Sequence, residues 1–120
     1  MELEELMAYK KAYELSNKIW EIVIMLDNFE KNTIGRQLSR AADSISANIA
    51  EGYGRFSYKE NKQFCFYARG SLYETKDWLN KLENRKIITN ENFNNLMNDI
   101  NDIGKLLNGY IKSIGKTNDK

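Results

Sequence analysis

The chain has 120 residues and a net charge of +1, and it contains neither histidine nor proline. Without histidine, Ser-His and Cys-His nucleophile pairs and Glu-x-x-His di-iron helices are excluded. The near-neutral balance gives no strong overall attraction to nucleic acid, so any such attraction must come from a local patch. A chain of this length fits one domain, which we predict over residues 1–120.

The first two predicted helices come from apolar residues that recur at three- and four-residue steps. The first covers about residues 5–27 and ends at an Asp-Asn pair. The second covers about residues 33–53, with Asn32 or Thr33 as its N-cap. The absence of proline favours such uninterrupted helices.

The third and fourth predicted helices follow the same spacing of apolar residues. Ser57 opens a capping box, which marks the start of a helix over about residues 58–84. The last helix covers about residues 90–114, with Thr89 or Asn90 as its N-cap. Four long amphipathic helices joined by short connections predict an all-α fold, an antiparallel up-down-up-down four-helix bundle.

The segment Gly-Tyr-Gly-Arg between the second and third helices could be a phosphate loop or a helix end. A phosphate loop follows a strand and continues into a Gly-Lys-Ser/Thr ending or a third glycine, and this segment has neither. We therefore predict that Gly52 or Gly54 ends the second helix in the left-handed conformation.

A second line of small and polar residues lies beside the apolar stripe on the second and third helices. This line predicts either a binding site or a polar network between helices or subunits, in which Arg40 and Glu74 would pair. A catalytic carboxylate pair has no supporting loop or metal ligands here. The residues predicted for the network are Arg40, Ser44, Asn48, Glu51, Gly70, Ser71 and Glu74.

Residues 36–69 hold six basic and three acidic side chains, and Lys62, Arg69 and Lys76 recur every seven residues along the third helix. They are either an ordinary solvated face or a surface for nucleic acid, with Tyr53, Phe56 and Tyr58 available for stacking. The candidate nucleic-acid contacts are Arg36, Arg55, Lys59, Lys62, Arg69 and Lys76.

Cys65 is the one cysteine, so an internal disulfide cannot form, and its flanking phenylalanines predict a buried thiol. Trp20 and Trp78 are predicted as core or interface anchors. The longest apolar run is short and is interrupted by Glu21, and the N-terminus lacks the features of a secretory signal. These observations predict a cytoplasmic protein.

The second and third helices also carry two recognisable motifs. RAADSISANIAEGYGR followed by FCFYARGSLYE resembles the signature of the four-helix-bundle proteins encoded in intervening sequences of 23S ribosomal RNA genes. The first motif is matched by Arg40, Ala42, Ser44, Ile45, Asn48, Ile49, Ala50, Glu51 and Gly52. The second is matched by Phe64, Ala68, Gly70, Ser71 and Glu74. The opening LMAYKKA is similar to that family's N-terminus, at Tyr9, Lys11 and Ala12.

The resemblance implies a four-helix bundle that assembles as a homopentameric barrel, without a known reaction. One relative, the accessory variability determinant of diversity-generating retroelements, binds nucleic acid and a reverse transcriptase. We predict a non-enzymatic, oligomeric adaptor or scaffold associated with nucleic acid. The alternative is a structural protein-protein interaction module. The predicted partners are further copies of the chain and RNA or a nucleic-acid-binding protein, with no membrane, catalytic residue, metal or cofactor.

Overall fold

The computed structural model describes residues 1–116, so residues 117–120 of the predicted domain lie outside it. Residues 1–116 form helices and the connections between them, and they contain no strand. The main helices are α1 (Met7–Val23), α2 (Arg36–Tyr53), α3 (Tyr58–Asn84) and α4 (Asn90–Ser113). Shorter helical segments are a 3-10 turn at Leu3–Glu5, an α-turn at Asn28–Glu30 and a π-helical turn at Lys31–Gly35. The predicted all-α bundle is confirmed.

Each main helix packs against two others, so that α1 contacts α2 and α4, and α3 contacts the same two helices. The apolar stripes of all four meet in one core, which includes Leu15, Ile45, Leu79 and Ile103. The Lys18 ammonium lies 2.8 Å from the Asp99 carboxylate and joins α1 to α4. These contacts agree with the up-and-down order of the helices, which stays a prediction.

The start of the second helix differs from the prediction that Asn32 or Thr33 is its N-cap. Asp27 is the N-cap instead, and its carboxylate accepts a hydrogen bond from the Glu30 amide at 2.8 Å. The Asn32 amide and the Thr33 hydroxyl donate back to carbonyls one turn earlier. Helical structure therefore begins at Asn28 and passes through the π-helical turn before α2.

The left-handed conformation predicted for Gly52 or Gly54 is wrong. Gly54 has φ −80°, in the right-handed region, and Gly52 lies within α2. Gly52 is small for a packing reason: a Cβ there would lie 2.9 Å from the Asn61 carbonyl oxygen and 2.9 Å from the Phe64 Cβ. The glycine allows α2 and α3 to approach closely next to their connection.

The caps predicted for the third and fourth helices are present. The Ser57 hydroxyl accepts a hydrogen bond from the Glu60 amide at 3.1 Å, and α3 has the predicted bounds. The Thr89 hydroxyl accepts from the Asn92 amide at 3.1 Å, which makes Thr89 the N-cap of α4. Among the described residues, no helix is long and apolar enough to cross a bilayer.

Lys86, just after α3, has a backbone strain that can be tested by mutation. Its φ is +59°, a left-handed conformation that costs a residue with a Cβ about 1 kcal/mol. We expect Lys86→Gly to raise the free energy of unfolding by about 0.5 to 1 kcal/mol, measured by urea denaturation. The neighbouring Arg85 has φ −86°, so Arg85→Gly should give no gain. Equal effects of the two substitutions would contradict this account.

Candidate interaction surfaces

The predicted network residues, which we call the polar seam, make their side-chain bonds to residues three or four positions away in the sequence. The Ser44 hydroxyl donates to the Arg40 carbonyl at 2.8 Å, and the Asn48 amide donates to the Ser44 carbonyl at 2.8 Å. Glu51 forms an ion pair with Arg55 at 2.8 Å. In the part of the chain that the structure describes, the polar seam therefore forms no hydrogen bond between helices.

The expected pair between Arg40 and Glu74 is also not formed within one chain. The Arg40 guanidinium donates to the Gln37 amide oxygen at 2.9 Å, and Glu74 accepts from the Trp78 indole at 3.4 Å. Both charged residues are exposed. Their charged groups are therefore accessible to a second molecule.

Gly70 lies at the centre of the outer face of α3. A Cβ built on it would meet nothing within 4 Å, so contacts within the chain do not explain a glycine there. Glycine in a helix interior is about 1 kcal/mol less favourable than alanine. Tyr67 beside it is 50% exposed. This part of the polar seam is an open surface that a neighbouring backbone could approach.

The six candidate nucleic-acid contacts do not form one patch. Arg55 is held by Glu51 at 2.8 Å and Glu60 at 3.7 Å, and its guanidinium lies 4.8 Å from the centroid of the Phe64 ring. These carboxylates cancel its charge. Arg36 lines a groove between α1 and α2 instead.

Lys62, Arg69 and Lys76 lie in line along the flank of α3 next to α4, and we call these three the basic stripe. All three are partly exposed, and within residues 1–116 none of them forms an ion pair. Arg69 donates to the neutral Asn108 side chain of α4 at 3.1 Å. The basic stripe therefore keeps its positive charge. Lys59 is exposed one turn before it, on a neighbouring part of the helix surface.

Two aromatic residues on the same flank were missed in the sequence. Phe66 and Tyr73 are 43% and 64% exposed, and they alternate with the basic stripe at steps of four and three. The Arg69 guanidinium lies 5.0 Å from the centroid of the Phe66 ring. The signal was the spacing of residues 62, 66, 69, 73 and 76, which places all five on one helix face.

A groove of about 470 Å³ runs between α1 and α2. Trp20 on its edge is 53% exposed, so the prediction that it anchors the core is wrong, while the interface alternative stays a prediction. Asp43 also lines this groove, and partial burial raises the pKa of its carboxyl above the ordinary value. Arg36 and Arg40 lie on the same wall and leave the groove with mixed charge.

The predicted burial of Cys65 is confirmed. Its side chain is fully enclosed, and burial raises the pKa of the thiol to about 11. The thiol lies 3.7 Å from the Asn61 amide oxygen, and the Asn61 nitrogen donates to the Tyr110 hydroxyl at 3.1 Å. This buried polar group ties α3 to α4, and the thiol is in the unreactive neutral form at neutral pH.

The chain was also compared with models of known protein families. The model for the 23S rRNA-intervening sequence protein family matches residues 4–109, which include α1, α2, α3 and most of α4. The chain belongs to this family. The conclusion agrees with the resemblance of the two motifs on α2 and α3.

A solved structure is also similar to this chain in sequence and fold. It is described as a protein with unknown function from the S23 ribosomal protein family of Bacteroides thetaiotaomicron. The two chains share 30% identity and superpose with a TM-score of 0.83, over 88% of this chain and 96% of the other. No curated protein matches the chain.

Proposed function

We propose that this 23S rRNA-intervening sequence protein is a non-enzymatic, self-assembling adaptor that associates with nucleic acid in the cytoplasm. The observation that carries the proposal is the basic stripe, three aligned cations without carboxylate partners in the described part of the chain. Phosphate groups are the natural partners of aligned, exposed basic side chains. The family name, with its ribosomal RNA context, supports the same direction.

Self-assembly is part of the proposal because one subunit has a net charge of only +1. A single copy of the basic stripe would bind a polyanion weakly and lose most of that affinity at physiological salt. A ring repeats the stripe around its circumference, so several stripes can bind one strand at a high effective concentration. We propose a pentamer, the assembly that the family resemblance implies.

The polar seam is the proposed contact between subunits. The Ser44 hydroxyl and the Asn48 amide already donate within α2, so a neighbour can cover these two donors without leaving them unpaired. Gly70 gives room for close approach, and the exposed Arg40 and Glu74 can pair across the contact. Arg69 of the basic stripe points to the α4 side of the helix, where it donates to Asn108, and we propose that the subunit contact leaves this side open.

The proposal is tested by filter binding of a structured RNA at 50 mM and 200 mM salt. Because phosphate contacts release counterions, we expect retention to fall by at least about tenfold between the two concentrations. Retention that does not change with salt would contradict the proposal.

The second candidate is a structural protein-protein interaction module. It is favoured by a group of exposed apolar side chains near the end of α1, where Trp20, Met25 and Phe29 are 53%, 82% and 77% exposed. Exposed apolar residues in one region are typical of protein contacts. This function would show no RNA retention at either salt concentration.

A further inference from the structure

The flank of α3 that lies next to α4 combines two kinds of chemistry. Lys62, Arg69 and Lys76 provide positive charge, while Phe66 and Tyr73 present partly exposed rings between them. We infer that this surface binds single-stranded nucleic acid, with phosphates on the basic stripe and unstacked bases on the Phe66 and Tyr73 rings. The inference rests on the proposed function and names the form of nucleic acid that it would take.

The helix places these groups in alternation along one line. Phe66 and Tyr73 are two turns apart, about 10 Å along the helix axis, with Arg69 between them. The Arg69 guanidinium already stacks over Phe66, with 5.0 Å between the guanidinium carbon and the ring centroid. Tyr73 is 64% exposed and offers its ring to solvent. Aromatic rings next to cations are the usual platform for bases of a single strand.

Helix α4 adds further positive charge beside this line. Asn108 of α4 accepts a hydrogen bond from Arg69, which fixes the register of the two helices. Lys105 and Lys112 lie one turn before and one turn after Asn108, and both are exposed. On α3 itself, Glu74 directly follows Tyr73 and is exposed, and Asp77 follows Lys76 and is paired with Lys81 at 2.6 Å. Lys105 and Lys112 make the positive surface wider than the basic stripe alone.

A helix from another protein is a poorer occupant of the same line. The spacing of four and three is also that of a coiled-coil seam, but such a seam has apolar residues at both of its repeating positions. Here one of the two positions is basic in every repeat, at Lys62, Arg69 and Lys76. An apolar partner helix would bury these three cations without counter-charges, which is costly. A polyanion with exposed ring faces matches both sets of side chains.

Duplex nucleic acid is also a poorer match, because its bases are paired and stacked on one another. A duplex could contact the basic stripe through its phosphates, but the two exposed rings would have no base to stack on. Single strands and unpaired loops present free base faces. The aromatic residues therefore predict a preference for single strands over duplexes.

The test compares the assembled wild type with the double variant Phe66→Leu, Tyr73→Leu. Leucine keeps an apolar side chain at each exposed position and removes the ring. The probe is a fluorescein-labelled 15-nucleotide oligouridylate at 0.1 M salt, followed by fluorescence anisotropy. Because a stacked base is lost at each of the two rings, we expect the double variant to bind about 25-fold more weakly or worse. The dependence of affinity on salt should not change, since the phosphate contacts remain.

The matched control is the variant Tyr13→Leu. This ring is also exposed, at 52%, but lies outside the basic stripe, so binding should stay at the wild-type level. A 15-base-pair RNA duplex is the second control, and it should bind more weakly than the single strand.

Each other outcome overturns the inference in a recognisable way. If the wild type binds the oligouridylate and the ring variant binds it equally well, the stacking role fails while the proposed function stands. Equal binding of the RNA duplex and the oligouridylate would also contradict the stacking role, while the proposed function would stand. If the ring variant has a smaller assembled mass, Phe66 and Tyr73 belong to a subunit contact. If the wild type binds neither probe, the proposed function fails and this inference fails with it.

Discussion

Gly52→Ala is expected to lower the free energy of unfolding by about 2 kcal/mol, which for a domain of this size lowers Tm by roughly 5 to 10 °C. The added methyl group would lie 2.8 Å from the Asn61 amide oxygen and 2.9 Å from both the Asn61 carbonyl oxygen and the Phe64 Cβ. Two of these atoms belong to backbone or to a Cβ, so they cannot move without shifting α3. The gain in helix propensity, about 1 kcal/mol, is smaller than this strain.

The clash at Gly52 would also disturb the buried polar group around Asn61. The Asn61 side chain donates to the Tyr110 hydroxyl at 3.1 Å and lies 3.7 Å from the Cys65 sulfur. A shift of Asn61 would weaken both contacts in a part of the core where water cannot replace them. We therefore expect the loss of stability to be larger than a surface substitution would give.

Gly109→Ala is the matched control, because Gly109 lies in α4 and a Cβ there meets nothing within 4 Å. Only the helix propensity changes, so we expect a gain of about 0.5 to 1 kcal/mol. Thermal and urea unfolding of the two variants measure the difference. Equal stabilities would show that the contact between Gly52 and α3 is looser than the structure indicates.

The triple variant Lys62→Glu, Arg69→Glu, Lys76→Glu is expected to lose RNA retention at 0.1 M salt, by on the order of a hundredfold or more. Each lost phosphate contact reduces the slope of log affinity against log salt by about one. The three side chains are partly exposed, and Arg69 donates a hydrogen bond to the Asn108 side chain. The fold and the assembled mass should therefore stay at their wild-type values.

A second triple variant has the same net charge as the first, but its three substitutions lie elsewhere on the surface. Lys10→Glu, Lys31→Glu, Lys86→Glu reverses three lysines outside the basic stripe, in α1, in the π-helical turn and after α3. If the stripe is the binding surface, this control should retain RNA far better than the first variant. Equal losses in the two variants would mean that net charge decides binding and that the basic stripe has no special role.

Most of the fold could be predicted from the sequence because its signals are local and strong. The stripes of apolar residues located all four main helices, and the bounds of α3 follow from Ser57, whose hydroxyl caps the helix. Thr89 is a similar signal for α4. Each of these features depends on side chains within one or two turns, which a sequence shows directly.

The errors occurred where tertiary contacts decide the local structure. In the sequence Gly52 is typical of a residue that ends a helix, but a glycine is needed there because Asn61 and Phe64 of α3 leave no room for a side chain. Asp27 caps the second helix early because the chain continues through a π-helical turn, for which helix periodicity gives no signal. Neither contact could be located before the packing of the helices was known.

The candidate surfaces were predicted less completely. The basic residues were identified, but the sequence did not show that Glu51 and Glu60 neutralise Arg55 or that Arg36 lies in a different groove. The polar seam was identified as a line of residues, and its bonds turned out to be local. Whether a side chain pairs within its helix or across to another depends on rotamers that the sequence does not give.

Binding of nucleic acid depends most on self-assembly, because one subunit has too little charge to bind nucleic acid strongly. Native mass spectrometry, supported by sedimentation velocity, tests this directly. We expect an assembly of about 70 kDa, five times the subunit mass of 14.0 kDa. A species of 14.0 kDa at micromolar concentration would contradict the account, since the polar seam would then face solvent and the basic stripe would act alone.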